Sequence, residues 1–193
     1  MALQSLVGSM AMRRTLVHFA ARPASRLHFR ALERRLGLAR QSLKNTLDTL
    51  EALGLVVRTA DGRRVVYQVA NLEGWDTLRE MIRTFATPAE VIGDLFQDLP
   101  GVRGALVFGS AASGRMRPDS DVDVLVIAEE TDAGALGIAA LEAGLLLGRD
   151  IDLKRYTPAE LNADRERSGT SYLKRAIDGA TQWALGTPEE AFA

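Results

Sequence analysis

The stretch that most restricts the fold is residues 104–127, GALVFGSAASGRMRPDSDVDVLVI. GALVFGS reads as a short buried strand ending in Gly109-Ser110, and after a polar, glycine-bearing connection DVDVLVI reads as a second strand. Side chains alternate along a strand, so Asp121 and Asp123 share one face while Val122, Val124 and Val126 point to the core. Two carboxylates on one face repel, and near neutral pH a divalent cation held by oxygen ligands is the ordinary remedy. The plain alternative is an exposed acidic strand end.

A further pair of carboxylates follows. Beyond the helix-like segment ALGIAALEAGLLLG, the run RDIDLKRY reads as a strand with Ile151 and Leu153 inward and Asp150 and Asp152 on the other face. If that strand lies beside DVDVLVI, Asp152 joins Asp121 and Asp123. Three carboxylates on adjacent strands can hold two magnesium ions roughly 4 Å apart, an arrangement suited to phosphoryl or nucleotidyl transfer. Gly109-Ser110 adds close backbone approach, and amides at a following helix start favour a phosphate. Other phosphate and nucleophile motifs fit less well: no glycine loop ends in Gly-Lys-Ser/Thr, FGSAASG is not a Gly-x-Ser-x-Gly elbow, and no histidine follows Ser110 to activate it.

Composition removes several other chemistries. The 193 residues include no cysteine, which excludes disulfides, thiol catalysis and cysteine-ligated zinc. The two histidines, His18 and His28, are too few for a histidine metal site and read as packing or capping residues. With 47% hydrophobic and 25% charged residues and no apolar run near the roughly 20 residues a membrane span needs, the expectation is a globular, cytoplasmic protein with no membrane partner. Residues 1–32 carry five arginines and no acidic residue, as organelle transit peptides do, but the same residues are needed by the domain described next.

The net charge of −1 conceals a division. Residues 1–70 hold 12 Lys and Arg against 4 Asp and Glu, and residues 71–193 hold 12 against 21. A basic half suits a polyanion. Here Phe29 to Leu36 has helical spacing, Gly37 breaks it, and ARQSLKNTLDTLEALG resumes with Leu43, Leu47, Leu50 and Leu53 on one face. Gly54 suits a left-handed helix end, and VVRT-ADG-RRVVYQV follows as two strands joined by a turn containing Asp61-Gly62. The run LARQSLKNTLDTLEALGLV resembles the recognition helix of winged helix-turn-helix regulators, over roughly residues 12–70. Arg40, Gln41, Ser42, Lys44 and Asn45 then stand off the leucine face where they can meet base edges and phosphates of duplex DNA, and Arg58, Arg63 and Arg64 arm the wing.

Residues 71–87 read as a helical linker between domains at 1–70 and 88–193, since WDTLREMIRTFA carries one apolar stripe. TPAEVIGDLF then restarts a helix, with Thr87 as N-cap, Pro88 first and Glu90 completing a capping box.

Gly109-Ser110, ten intervening residues and Asp121-Val122-Asp123 together resemble the signature of the DNA polymerase β-like nucleotidyltransferase superfamily. GSAASGRMRPDSDVDVLV looks like its minimal nucleotidyltransferase branch, and GRDIDL resembles the segment bearing that family's third carboxylate, here Asp152. The resemblance covers about residues 88–185. It implies an α+β chain in which the winged helix is followed by a mixed β-sheet flanked by helices. It also implies two magnesium ions, a nucleoside triphosphate at Gly109 and Ser110, and transfer of a nucleotidyl group, AMP above all, to a hydroxyl of a protein or small-molecule acceptor. Members of this branch resemble antitoxins that pair with ribonuclease toxins of the HEPN class, so such a toxin and a homodimer join duplex DNA as expected partners. The chain departs from the pattern after Gly-Ser, where a basic residue is common and Ala111 and Ala112 stand; Arg115, Arg117 and Lys154 are the candidates to compensate. Two readings result: a DNA-binding transferase, and a transcriptional regulator whose transferase fold serves as a nucleotide sensor or dimerisation platform.

Overall fold

The computed structural model describes residues 9–117, 120–166, 179 and 181–192. They divide into two compact units, one ending at Ala86 and the other beginning at Thr87.

The first unit runs α1 (Met10–Ala21), β1 (Leu27–His28), α2 (Phe29–Leu36), α3 (Arg40–Ala52), β2 (Val56–Asp61), β3 (Arg64–Val69) and α4 (Leu72–Phe85). Its sheet has the order β1-β3-β2, antiparallel throughout. Helix α2 stops at Gly37, whose φ of 59° is the left-handed conformation glycine adopts without penalty. At the end of α3 the Leu55 amide donates to the Leu50 carbonyl and the Gly54 amide to Glu51, the paired bonds of a Schellman ending. The helix therefore ends one residue before Leu53, which is half exposed and does not continue the stripe of Leu43, Leu47 and Leu50, all fully buried. The wing turns through Gly62 (φ 59°) and Arg63, with Asp61 already paired to Arg64.

His18 and His28 have different positions. His18 is buried in α1, its Nε2 2.9 Å from Ser25 Oγ, while Arg35 Nε donates to its Nδ1. Its ring is a core polar node, whereas His28 stands at the N-cap of α2 without making a side-chain cap bond. Helix α4 begins with Asn71, whose Oδ1 accepts from the Gly74 amide, and packs on α1 where Trp75 Nε1 donates to the Ala20 carbonyl. The helical segment after the wing thus belongs to the first unit.

The second unit runs α5 (Pro88–Phe96), β4 (Val102–Phe108), α6 (Gly109–Ala112), β5 (Val122–Ala128), α7 (Ala133–Leu147), β6 (Ile151–Tyr156), α8 (Pro158–Glu166), β7 (Thr181–Leu185) and α9 (Pro188–Phe192). The capping box forms: Glu90 N–H donates to Thr87 Oγ1 and Thr87 N–H to Glu90 Oε2. The sheet order is β6-β5-β4-β7, with β4 antiparallel to both neighbours and β5 parallel to β6. A parallel pair needs a crossover, and α7 supplies it.

This sheet is covered on both faces, which is why β5 reads as a continuous apolar run beyond Asp123. Leu106, Phe108, Leu125 and Ile127 pack with Leu161 of α8 on one side, joined by Tyr156 and Trp183. The other pleat, Val122, Val124 and Val126, is fully buried too. Helix α5 approaches β7 so closely that a Cβ at Gly93 would overlap the Ala184 carbonyl oxygen. Among the described residues no helix is long and apolar enough to cross a membrane.

Candidate functional site

Strand register sets the acidic site. In the parallel pair, Asp123 of β5 lies directly opposite Asp152 of β6, so both carboxylates stand on one face at adjacent strand heads. Phe108 is the antiparallel partner of Asp123 on its other side. Asp121 precedes β5 and is exposed, and the Val122 amide beside it donates to the Asp150 carbonyl. Along this face Leu125 and Ile127 disappear beneath Leu161, whereas Asp123 lies just beyond that cover, half-buried. The alternation expected from the sequence therefore holds at the head of the strand and gives way to two-sided burial further along.

Glycine geometry brings the backbone to the same point. The chain leaves β4 and turns at Gly109 with φ 69° straight into α6. A Cβ at that position would lie 2.5 Å from Asp123 Oδ2, so glycine is required by the backbone angle and by the neighbouring carboxylate alike. Ser110 follows within α6, whose last turn is closed by Ser113 N–H donating to the Gly109 carbonyl and by Gln182 Nε2 of β7 donating to the Ala112 carbonyl.

The electrostatics follow from this crowding. Burial, then the adjacent Asp152 carboxylate, then Asp121 raise the Asp123 pKa above the ordinary carboxylate value, against the opposing pull of Lys154. Lys154, two residues beyond Asp152 on the same strand face, donates to Asp152 Oδ2 at 2.7 Å. Of the three basic residues considered for the missing position, Lys154 is thus the one in contact with a site carboxylate. Arg149, which sequence reasoning passed over although it adjoins Asp150, donates through Nη1 to the carbonyls of Arg117 and Ser120 and so fastens the chain leading into Asp121.

Only oxygen donors meet here, which is the chemistry of a hard divalent cation. Asp123 and Asp152 fit that group as an adjacent pair, and Asp121 stands at its edge. Among the described residues no three Asp, Glu or His side chains converge on one point, and Lys154 occupies Oδ2 of Asp152. A separate depression lined by Gly101, Glu129, Glu130, Arg155 and Thr157 lies at the opposite ends of β5 and β6.

In the first unit, Arg40, Gln41, Ser42, Lys44 and Asn45 are all exposed on the first turns of α3, while Leu43, Thr46 and Leu47 are buried behind them. Arg40 stacks over Phe29, 5.4 Å from its ring centre, and Phe29 meets Tyr67 edge to face, tying α2, α3 and β3 together. Gln41 Nε2 donates to Asn45 Oδ1 and Lys44 pairs with Asp48. Arg63 and Arg64 are exposed at the wing tip. Arg58 is exposed as well and donates to Glu51 at 2.8 Å, a bond that raises its pKa and ties the wing to α3.

With this geometry in view, residues 90–171 match the family model described as polymerase beta, nucleotidyltransferase, and residues 13–65 match the MarR family model. The chain therefore carries a MarR-type winged helix followed by a polymerase β-type nucleotidyltransferase domain. No curated protein sequence matches it. Similar solved structures include a toxin-antitoxin with AMP-PNP, 25% identical, spanning 50% of this chain and 72% of that one with a TM-score of 0.38. Another is a mutant of the toxin-antitoxin MntA-HpeT, 23% identical, spanning 53% of this chain and 77% of that one with a TM-score of 0.40.

Proposed function

We propose that the second unit is a magnesium-dependent nucleotidyltransferase and that the first unit carries it to duplex DNA in the cytoplasm. The observation that supports this most is the register of Asp123 with Asp152 at a strand head where Gly109 brings the backbone against the same carboxylate. Asp121, Asp123 and Asp152 would hold two magnesium ions, which supply charge neutralisation for the triphosphate and for the leaving pyrophosphate. Gly109 and Ser110 would receive the phosphates, with Lys154 turning from Asp152 to the triphosphate in the role left open by Ala111 and Ala112. In the reaction the acceptor hydroxyl oxygen bonds to the α-phosphorus of ATP, the bond to pyrophosphate breaks, and the hydroxyl proton passes to solvent. The acceptor is a hydroxyl on a partner protein, and the resemblance of GSAASGRMRPDSDVDVLV to the minimal branch favours a HEPN-type toxin as that partner, with the DNA-binding unit providing autoregulation.

A second reading is favoured by one contact. With Lys154 seated on Asp152, the site is already partly neutralised without a metal, as suits a nucleotide-sensing regulator that performs no transfer. Labelled ATP separates the two. The full chain with magnesium and the protein of the neighbouring gene should transfer label to that protein, and Asp121→Ala or Asp123→Ala should abolish it. Magnesium-dependent thermal stabilisation by ATP with no transfer to any acceptor would favour the sensor, and absence of both would remove the transferase reading.

A further inference from the structure

Two side chains of α3 are joined on its outer surface. Gln41 Nε2 donates to Asn45 Oδ1 at 2.7 Å, and both residues are exposed. At 3.6 residues per turn they stand about 20° to either side of the line opposite Leu43, so the pair occupies the middle of the face that α3 turns away from the core. Both fall in the first two turns, the part of a recognition helix that meets base edges. Arg40 and Lys44 flank the pair on one side and Ser42 on the other. The two acidic residues of α3 lie further along, and each holds a cation: Asp48 pairs with Lys44 and Glu51 with Arg58. With two charges of each sign, α3 is neutral as a whole, and what distinguishes its outward face is the pattern of hydrogen-bonding groups.

The bond between the two amides fixes which groups remain. Asn45 Oδ1 engages Gln41 through one lone pair and keeps the other, beside the N–H groups of its own Nδ2. Asn45 therefore presents an acceptor next to a donor, on an amide whose rotation Gln41 restrains. We propose, on the DNA-facing reading of the first unit, that Asn45, held by Gln41 as a positioning residue, reads an adenine in the major groove. Adenine alone shows a donor, N6–H, beside an acceptor, N7; Asn45 Oδ1 accepts from the first while Nδ2 donates to the second. Guanine shows two acceptors, O6 and N7, so Oδ1 would face O6 lone pair to lone pair, and cytosine and thymine each show only one of the two groups. Turning the amide over to suit guanine breaks the bond from Gln41. The same bond lowers the side-chain freedom lost on binding.

A pool of randomised duplexes, selected with the full-length chain at low salt, tests this. The selected site should contain an adenine that cannot be exchanged: guanine in its place, or 7-deazaadenine, which lacks only the N7 acceptor, should weaken binding about tenfold or more. Full-length Asn45→Ala should bind every base at that position alike, keep its preferences elsewhere, and keep the slope of affinity against salt, since no phosphate contact is lost. Gln41→Ala should lower the discrimination at the same position and at no other with the melting temperature unchanged, which a role in folding alone would not produce. Three results would overturn the proposal and leave the DNA-facing reading standing: Asn45→Ala weakening equally towards every base, undiminished affinity when each adenine in turn is 7-deazaadenine, or selection of guanine at the position Asn45 governs. Absence of binding to any duplex of the pool at low salt would overturn both.

Discussion

Replacing Gly109 with alanine probes the turn and the carboxylate together. Two costs can be worked from the geometry. Holding a non-glycine residue at φ 69° costs about 1–2 kcal/mol. The new Cβ would also lie 2.5 Å from Asp123 Oδ2, which is the mobile end of a side chain, so the carboxylate rotates away at about 0.5–1.5 kcal/mol and nothing in the backbone need move. The expected total is about 1.5–3.5 kcal/mol, summing the two terms. Each unit contains one tryptophan, Trp75 in the first and Trp183 in the second, so in a Trp75→Phe background the fluorescence of Trp183 reports the second unit alone during urea unfolding. Repeating Gly109→Ala in an Asp123→Ala background should remove the second cost and leave the first, a coupling of about 0.5–1.5 kcal/mol. Additive costs would refute the contact between turn and carboxylate. Magnesium-ATP stabilisation should vanish in Gly109→Ala even where stability is restored by a compensating change elsewhere, since the displaced carboxylate no longer faces its partner.

Three further outcomes are expected. Because the folded-state pKa of Asp123 lies above its unfolded value, folding takes up a proton between the two, and stability falls as pH rises through that window; Asp123→Asn should flatten this slope and be the more stable protein at neutral pH, measured by urea midpoints across acid to neutral pH. Leu125→Ala, at a fully buried position under Leu161, should cost about 2–5 kcal/mol in the same Trp183 assay without removing the pH slope. Gel shifts on DNA from around its own gene should show affinity falling by orders of magnitude between low and physiological salt, and Arg40→Ala with Lys44→Ala should weaken it further; no binding at low salt would contradict the DNA-facing role of α3.

How much of this was legible in the sequence depends on how local each determinant is. The capping box at Thr87 and Glu90, the glycine stops at Gly37 and Gly54 and the strand head at Asp121 to Asp123 are each set by neighbours a few residues away, and short patterns report them. The placement of Asp152 was open from spacing alone, because a strand reached through a helical crossover can pair on either edge; the register with Asp123 is a tertiary fact. Leu53 illustrates the opposite error. Its spacing continues the leucine stripe, but the Schellman bonds of Gly54 and Leu55 end the helix before it and turn it outward. Contacts between charged side chains, such as Arg58 with Glu51 and Lys154 with Asp152, leave no pattern in the chain, since many spacings would have served equally well.

The crossover between β5 and β6 also governs the order in which the protein can come into being. Asp123 and Asp152 feel each other only after α7 has doubled back and the two strands have aligned, so their repulsion is absent from the unfolded chain and arises late, against a loop-closure cost already incurred. Neutralising either charge should then quicken refolding if the parallel pair is already aligned at the barrier, and slow unfolding if it aligns afterwards. A cation that the mature site would hold for chemistry thus bears on the speed of the chain's own maturation, and the rate of refolding with and without magnesium reads out when the two strands meet.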